Sequence, residues 1–429
     1  MPNTEIHLPF GDSFLPVTLP SDNVCSVIEA KHVPGVRDER EAIQKGLRNP
    51  IGSVKLLERI HKNDKVLIII TDNTRHCPDY KIVPVLLDEL EQKVPRRNIT
   101  CIVALGLHTP LSREGLIKKL GKRIINDYKV LNHNPDQVVS LGTTSFGTPV
   151  EVNSELTKAD FRISTGFIEP HFFAGFSGGR KSVAPGLSSA NAIRKNHGYA
   201  MIEHPNAQAG ILKGNPIHED LVEQAKMANL DFIVNVLLNK EKQISHVFAG
   251  DPWLAHESGC DVEKGIVGVE VDHMVDIAIV TNGGAPLDLD FYQTCKGIYT
   301  ASRITRPGGI IMVGSCCSNG IGPEAFRNLH SSNSSPGEVL EMIREGHHVG
   351  VAWQNQILAR AQSDHAIYLL SHLADDEVKQ MMVTPIHTIE QGLDKAFGIL
   401  GKQAEIAVIP EGPLILPIVG GTAIHQSFN

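Results

Sequence analysis

KVLIIIT, Lys65 to Thr71, runs directly into Asp72-Asn73-Thr74-Arg75, and this junction of an apolar run with a polar turn sets the reading of the whole chain. The aliphatic stretch Val66 to Ile70 has no polar side to offer water, so it reads as a strand covered on both faces, as in a parallel sheet between helices. Similar runs recur at Thr100 to Leu105, Phe161 to Thr165, Phe232 to Leu238, Asp276 to Thr281, Gly309 to Val313, Ala366 to Leu370 and Glu405 to Ile409. Helical periodicity falls between them at Val83 to Leu90, Glu219 to Ala228, Leu254 to Gly265, Pro336 to Ile343 and Ile389 to Ile399. The expected class is α/β, with mainly parallel sheets flanked by helices. After Val269 the alternation becomes regular, DIAIV then FYQTCKGIYTASRI then GGIIMV. A boundary near Val271 follows, giving a large first domain, 1–270, and a smaller doubly wound second one, 271–429, with the active site expected in the cleft between them.

With 429 residues, two cores are the default, each large enough to hold without staples. No uninterrupted apolar run is long enough to span a bilayer, and the N-terminus lacks a basic region followed by an apolar one, so no membrane association and a cytoplasmic location are expected. Seven cysteines without a CxxC spacing argue against a disulfide framework and against a cysteine zinc site. A net charge of -8 without a basic cluster speaks against nucleic acid, whose binding depends on neutralising many phosphates.

Ligands of parallel sheets sit at the carboxyl ends of strands, so the residues that follow strands are the ones to weigh. Asp72 suits an Asx-type helix cap as well as a site, whereas the Arg75 guanidinium offers a fork for a small carboxylate or phosphate. His108 follows CIVALGL and His171 follows FRISTGFIEP. Either histidine alone could be a satisfied structural residue. Two imidazoles at strand ends can serve opposite faces of one carbon, as inversion of a stereocentre requires.

The segment PHFFAGFSGGRKS, Pro170 to Ser182, adds a glycine-rich turn and an Arg-Lys pair, with Asn196-His197-Gly198 further on. It is not a P-loop, because Arg180 occupies the position before the lysine where that motif needs glycine. The turn could still cradle an anion through backbone N–H groups, Ser177 and Arg180, or could be solvated only. Lys181 could carry a covalent attachment. His197 alone is too few ligands for a metal held by protein, so a metal here needs further ligands from a cofactor. In the second half, Tyr292, Gln293 and Lys296 start a helix in PLDLDFYQTCKG, where they could be an ordinary amphipathic face or could clamp a carboxylate. Trp353 is read in a loop, Gly350 to Gln354, as a wall of the site or as packing.

TDNTR at Thr71 to Arg75, GLH at Gly106 to His108, EPHFFAGFSGGRKSVAPG at Glu169 to Gly186, NHG at Asn196 to Gly198 and DFYQTCKG at Asp290 to Gly297 together resemble the nickel-dependent lactate racemase family. The likeness runs in order through most of the chain. It implies a nickel pincer nucleotide, a pyridinium-3-thioamide-5-thiocarboxylic acid mononucleotide linked to Lys181, whose nickel takes His197 as its one protein ligand. It further implies His108 and His171 as the acid/base pair, with Arg75, Gln293, Lys296 and Tyr292 at the substrate. Asp72, Thr74, Ser177 and Gly178 would seat the cofactor. The activity implied is racemisation of a small 2-hydroxy acid by hydride transfer to and from the cofactor, with lactate foremost and malate, longer-chain or sugar acids as alternatives. Cofactor-synthesis enzymes would be the partners for loading. Phe172 and Phe173 are placed to shape the substrate side pocket, and His76, Cys77 and Asp79 depart from the more proline-rich run usual in the family. A hydrolase or lyase with His108, His171 and His197 directly on a divalent metal is the rival class.

Overall fold

The structure is a computed structural model and describes residues 3–74, 76–346 and 352–420. The chain forms two compact units, His32–Ile266 and a second made of Met1–Lys31 together with Val267–Asn429. The first thirty-one residues therefore leave the domain to which the sequence assigned them. Their strand Val24–Val27 pairs in parallel with Ile406–Ile409, closing one edge of the second unit's sheet. Preceding it, the hairpin Asn3–Phe10 and Ser13–Pro20 buries Leu8, Val17 and Leu19 against Ile277, Ile279 and Ile406.

In the unit His32–Ile266 the sheet runs Ile244–Gly250, Phe232–Leu238, Phe161–Phe167, Val66–Thr71, Ile99–Ala104, Lys129–Asn132. All neighbours are parallel except the first pair, which is an antiparallel hairpin. The aliphatic run that opened the reading shows why both faces are apolar. Val66, Ile68 and Ile70 point into one core with the helix residues Ile82, Val83 and Leu86, while Leu67 and Ile69 point into another with Ala225 and Leu187. A period of two across a sheet covered twice leaves no polar position to alternate.

In the other unit all six strands are parallel, in the order Thr384–Ile386, Ala366–Leu370, Thr305–Gly314, Val275–Thr281, Ile406–Ile409, Val24–Val27. Here too the central strand divides its side chains, Ala278 and Val280 into one core and Ile277 and Ile279 into the other. Trp353 does not lie in a loop: it sits in the first turn of the helix Ala352–Asp364, whose buried run Gln354 to Ala359 opens with three polar residues, so that no apolar stripe announces it. Gly350 and Val351 lie outside the described residues.

Candidate active site

Asp72 follows the strand Val66–Thr71 and is buried, while His108 follows Ile99–Ala104 and is half exposed. The glycine of Gly106-Leu107-His108 makes the second placement possible. Gly106 has φ +56 and its N–H donates to the Gly186 carbonyl at 2.8 Å, a turn that L side chains adopt at a cost. The Asp72 carboxylate accepts from the ring Nδ1 of His108 through Oδ2, a very short contact. Through Oδ1 it accepts from the Thr74 N–H at 3.1 Å and the Thr74 hydroxyl at 2.7 Å. An acceptor at Nδ1 fixes the proton there and leaves Nε2 with its lone pair. The sequence offered Asp72 and Thr74 as cofactor contacts; their polar atoms are engaged with each other and with His108. Arg75 lies outside the described residues.

Below this turn lies a buried ion pair. Asp79 accepts from Lys119 at 2.9 Å, from the Thr71 hydroxyl at 2.6 Å and from the Thr165 hydroxyl at 2.6 Å. Both charged groups are out of solvent, with Asp79 fully buried.

His171 and Lys181 form a second group. His171 stands in a short hairpin, Pro170–His171 with Gly175–Phe176, and Lys181 in the 3-10 turn Gly179–Ser182. The Lys181 amine lies 3.3 Å from His171 Nε2, while His171 Nδ1 accepts the Ala174 N–H at 3.3 Å. Both neighbours are donors, while a neutral ring has one accepting nitrogen, so the two contacts compete for its lone pair. His171 stacks on Phe172 at 4.9 Å and meets Phe173 edge-on at 4.6 Å. Phe173 also abuts the His197 ring at 4.9 Å and lies 5.9 Å from the Lys181 amine, so one phenyl group touches all three.

His197 caps the helix Ala190–Asn196, whose start is fixed by the Ser189 hydroxyl accepting from Ala192. Burial, then the nearby Lys181 charge, lowers its pKa to about 3. A neutral imidazole is the form that ligates metal. Next to it Asn196 donates to Asp220 at 2.6 Å, and Asp220 accepts also from Thr144 and Gln224, which holds the helix end in register.

The turn itself is not an open anion cradle. Ser177 donates its hydroxyl to the Phe167 carbonyl at 2.9 Å and accepts from Glu169 N–H, and the Gly179 N–H is taken by Asn235 at 2.7 Å. Gly178 has φ +77, and a Cβ there would lie 2.7 Å from the Asn235 side chain and 3.0 Å from the Phe167 carbonyl, so glycine is required by closeness of packing. Arg180 turns inward and is 1 % exposed. A cavity of about 420 Å³ opens beside it, lined by His218, Lys226, Trp253, His256 and Glu257 among others; neither His108, His171 nor Lys181 lines it. Sequence reasoning missed His256 and Cys260. Their spacing of four puts both on the buried face of Leu254–Val267, where they read as ordinary core positions.

In the other unit Tyr292, Gln293 and Lys296 stand on one half-buried face of the helix Phe291–Ser302. Its N-terminus is capped by Asp290, which accepts from Gln293 N–H at 2.7 Å. The Tyr292 hydroxyl accepts from Trp353 Nε1 at 3.2 Å, so the tryptophan packs against a residue expected at the substrate.

The family models for the lactate racemase N-terminal domain and the lactate racemase C-terminal domain match residues 10–210 and 271–416. The chain belongs to the lactate racemase family. A lactate racemase from Lactiplantibacillus plantarum is 36% identical over 416 residues, which is 95% of this chain and 98% of the relative. One from Thermoanaerobacterium thermosaccharolyticum is 33% identical over 420 residues, covering 96% and 98%. The solved lactate racemase apoprotein of the latter organism superposes with a TM-score of 0.92, at 33% identity, over 97% of this chain and all 100% of its own. A Thermotoga maritima protein shares the fold alone, with a TM-score of 0.66 at 19% identity over 89% of this chain and 98% of its own. Membership makes the protein an isomerase of the racemase type. Among the described residues no helix is long and apolar enough to cross a membrane.

Proposed function

We propose that this racemase interconverts the enantiomers of lactate, with other small 2-hydroxy acids as the neighbouring substrate class, using His108 and His171 as its acid/base pair. The observation that carries the reading is the setting of the two rings. Asp72 holds the His108 proton on Nδ1, leaving Nε2 as a base, while His171 Nε2 lies 3.3 Å from the Lys181 amine, the proposed point of cofactor attachment. One group to take the hydroxyl proton of one enantiomer and another to give it for the mirror image is what a two-faced proton transfer requires.

A nickel pincer nucleotide attached to Lys181 fits these residues. Among the described residues no group of three or more His, Cys, Asp or Glu could hold a metal ion, so the His-ligated hydrolase or lyase has no ligand set there. His197, kept neutral by burial, suits a metal whose remaining ligands are organic. The relative's description as an apoprotein supports a missing bound group of some kind. When bound, the group would accept and return the substrate's C2 hydride. The protein's share is different. Phe173 packs beside His171, His197 and the Lys181 amine, and so fixes their spacing and keeps water from that side. His108 and His171 move the hydroxyl proton. Ser177 and Gly178 shape the turn that presents Lys181. Arg75, Tyr292, Gln293 and Lys296 are assigned to the substrate by their place in the family motifs.

The test is intact-protein mass and nickel content after expression beside cofactor-synthesis enzymes, followed by chiral analysis of single-enantiomer 2-hydroxy acids. Native protein gains a covalent mass and nickel, and Lys181→Ala gains neither. An unmodified native chain, or an adduct that persists in Lys181→Ala, refutes the assignment.

A further inference from the structure

Arg180 is a cation where nothing anionic meets it. The side chain is 1 % exposed, and among the described residues no carboxylate pairs with it. Burial lowers its pKa only to about 10, so it stays charged at neutral pH. Such a group is costly to keep unless its hydrogen bonds hold something in place. Its guanidinium donates to the Ala174 carbonyl at 2.6 Å and to the Gly178 carbonyl at 3.4 Å. The Ala174 N–H, on the same residue, is the donor to His171 Nδ1. His171 Nε2 faces the amine of Lys181, the residue following Arg180. Arg180, Ala174, His171 and Lys181 thus close a ring that begins and ends on neighbouring residues of one turn.

A second contact secures the ring from behind. His256 Nε2 lies 2.8 Å from the Ser177 carbonyl and 3.1 Å from Arg180 Nη1, and a Cβ on Gly179 would lie 2.8 Å from its ring. The shorter contact requires Nε2–H donating to the carbonyl, with Arg180 packed against the same edge. His256 is 2 % exposed, and the Cys260 thiol lies 3.7 Å from its Nδ1. Hairpin and turn are therefore pinned through backbone carbonyls, at residues 174, 177 and 178.

We propose that Arg180 is a positioning residue for His171: by holding the Ala174 carbonyl it fixes the residue whose N–H meets His171 Nδ1, and so sets the ring's orientation and its distance from Lys181. The inference rests on His171 being an acid/base group, and its test must separate the two. In unloaded protein, Arg180→Met should shift the His171 ring nitrogens in a ¹⁵N-histidine spectrum, assigned by loss of the signal in His171→Gln. It should also speed hydrogen exchange in the peptide containing Ala174 while helix Pro216–Met227 keeps its protection. After loading, Arg180→Met should keep the Lys181 adduct and lose about 100-fold in kcat with KM little changed, the scale of a ~1 Å misplacement. Arg180→Lys, which keeps a donor for Ala174, should recover at least about tenfold of that loss. An unchanged His171 signature in Arg180→Met, or equal kcat in the Met and Lys variants, overturns the proposal. If Arg180→Met does not fold, the spectrum of Arg180→Gln, whose shorter side chain falls short of the Ala174 carbonyl, decides, with native His171 nitrogens and native exchange at Ala174 counting against the proposal. Failure of the acid/base assignment reads out elsewhere, as full turnover in His171→Ala.

Discussion

Replacing Asp72 by Asn should disable His108 while changing almost nothing in shape. The carboxylate accepts on both oxygens: two donors from Thr74 meet Oδ1 and one from His108 Nδ1 meets Oδ2. An amide has one accepting end. If the oxygen stays with the two Thr74 donors, the NH2 faces Nδ1, which must then accept, and the ring proton moves to Nε2. That is the wrong tautomer for a base. Loss of a general base costs on the order of 100-fold or more in turnover. The opposite orientation would leave the Thr74 N–H facing an NH2, an unsatisfied donor worth about 1–3 kcal/mol, so the first should prevail. The assay is kcat for each lactate enantiomer in loaded Asp72→Asn protein, with adduct mass and unfolding midpoint as controls. Turnover within about threefold of native, with the adduct present, would refute both the tautomer argument and the role of Asp72 as the orienter of His108.

His171→Ala should retain the Lys181 adduct and lose on the order of 100-fold in interconversion, measured by chiral chromatography; near-native turnover would break the two-base scheme. His197→Ala should keep the organic mass on Lys181 while its nickel content falls, and equal nickel per adduct in the two proteins would remove His197 as ligand. In unloaded protein, burial first and then positive neighbours hold His197, His218 and His256 near pKa values of about 3, 2 and 3, below the ordinary 6.5. The folded unit refuses protons that the unfolded chain takes up below pH 6.5, so stability must fall as pH drops through that value. Glu263, raised to about 8 by burial and then by Glu169, works in the other direction above the ordinary 4.5, because it keeps a proton that unfolding releases. Between pH 5 and 6 these four groups together bind about two protons net on unfolding, or about 3 kcal/mol per pH unit. A urea midpoint independent of pH over that interval would contradict the burial of these rings.

The strands were legible because a sheet covered on both faces writes itself as uninterrupted aliphatic runs. Val66–Thr71, Phe232–Leu238 and Ala366–Leu370 fall within a residue of their sequence reading. Helix starts were less visible. Asp79–Leu90 begins four residues before its apolar pattern, since its first residue is a carboxylate buried in an ion pair and not an apolar one. The N-terminal segment carries no local sign of its partner, because the pairing of Val24–Val27 with Ile406–Ile409 joins residues nearly four hundred apart. For the site, residue types were readable and partners were not. Arg180 in a glycine-rich turn looks like an anion ligand, and only the third dimension shows its guanidinium spent on carbonyls of residues 174 and 178.

The ion pair beneath the Asp72 turn explains how so small a dyad can be held still. Desolvating Asp79 and Lys119 costs several kcal/mol per ion, and their attraction offsets this only with every remaining lone pair and proton satisfied. Here they are: Thr71 donates to Asp79 and accepts from Lys119 at 2.8 Å, Thr165 donates to the other carboxylate oxygen, and the Cys77 carbonyl accepts from Lys119 at 3.1 Å. An apolar cluster of equal volume could stabilise the fold as well, but it would not choose an orientation for Thr71. The ionic network does, and Thr71 is the last residue before Asp72. It also ties Val66–Thr71 to Phe161–Phe167 through Thr165, two residues before the Phe167 carbonyl that receives the Ser177 hydroxyl. The turn that orients His108 and the turn that presents Lys181 are thus referred to the same two strand ends, and the His108 turn is bonded again to Gly186 beyond the lysine. Polar burial at this depth sets the register of the site, which apolar packing alone leaves free to slide.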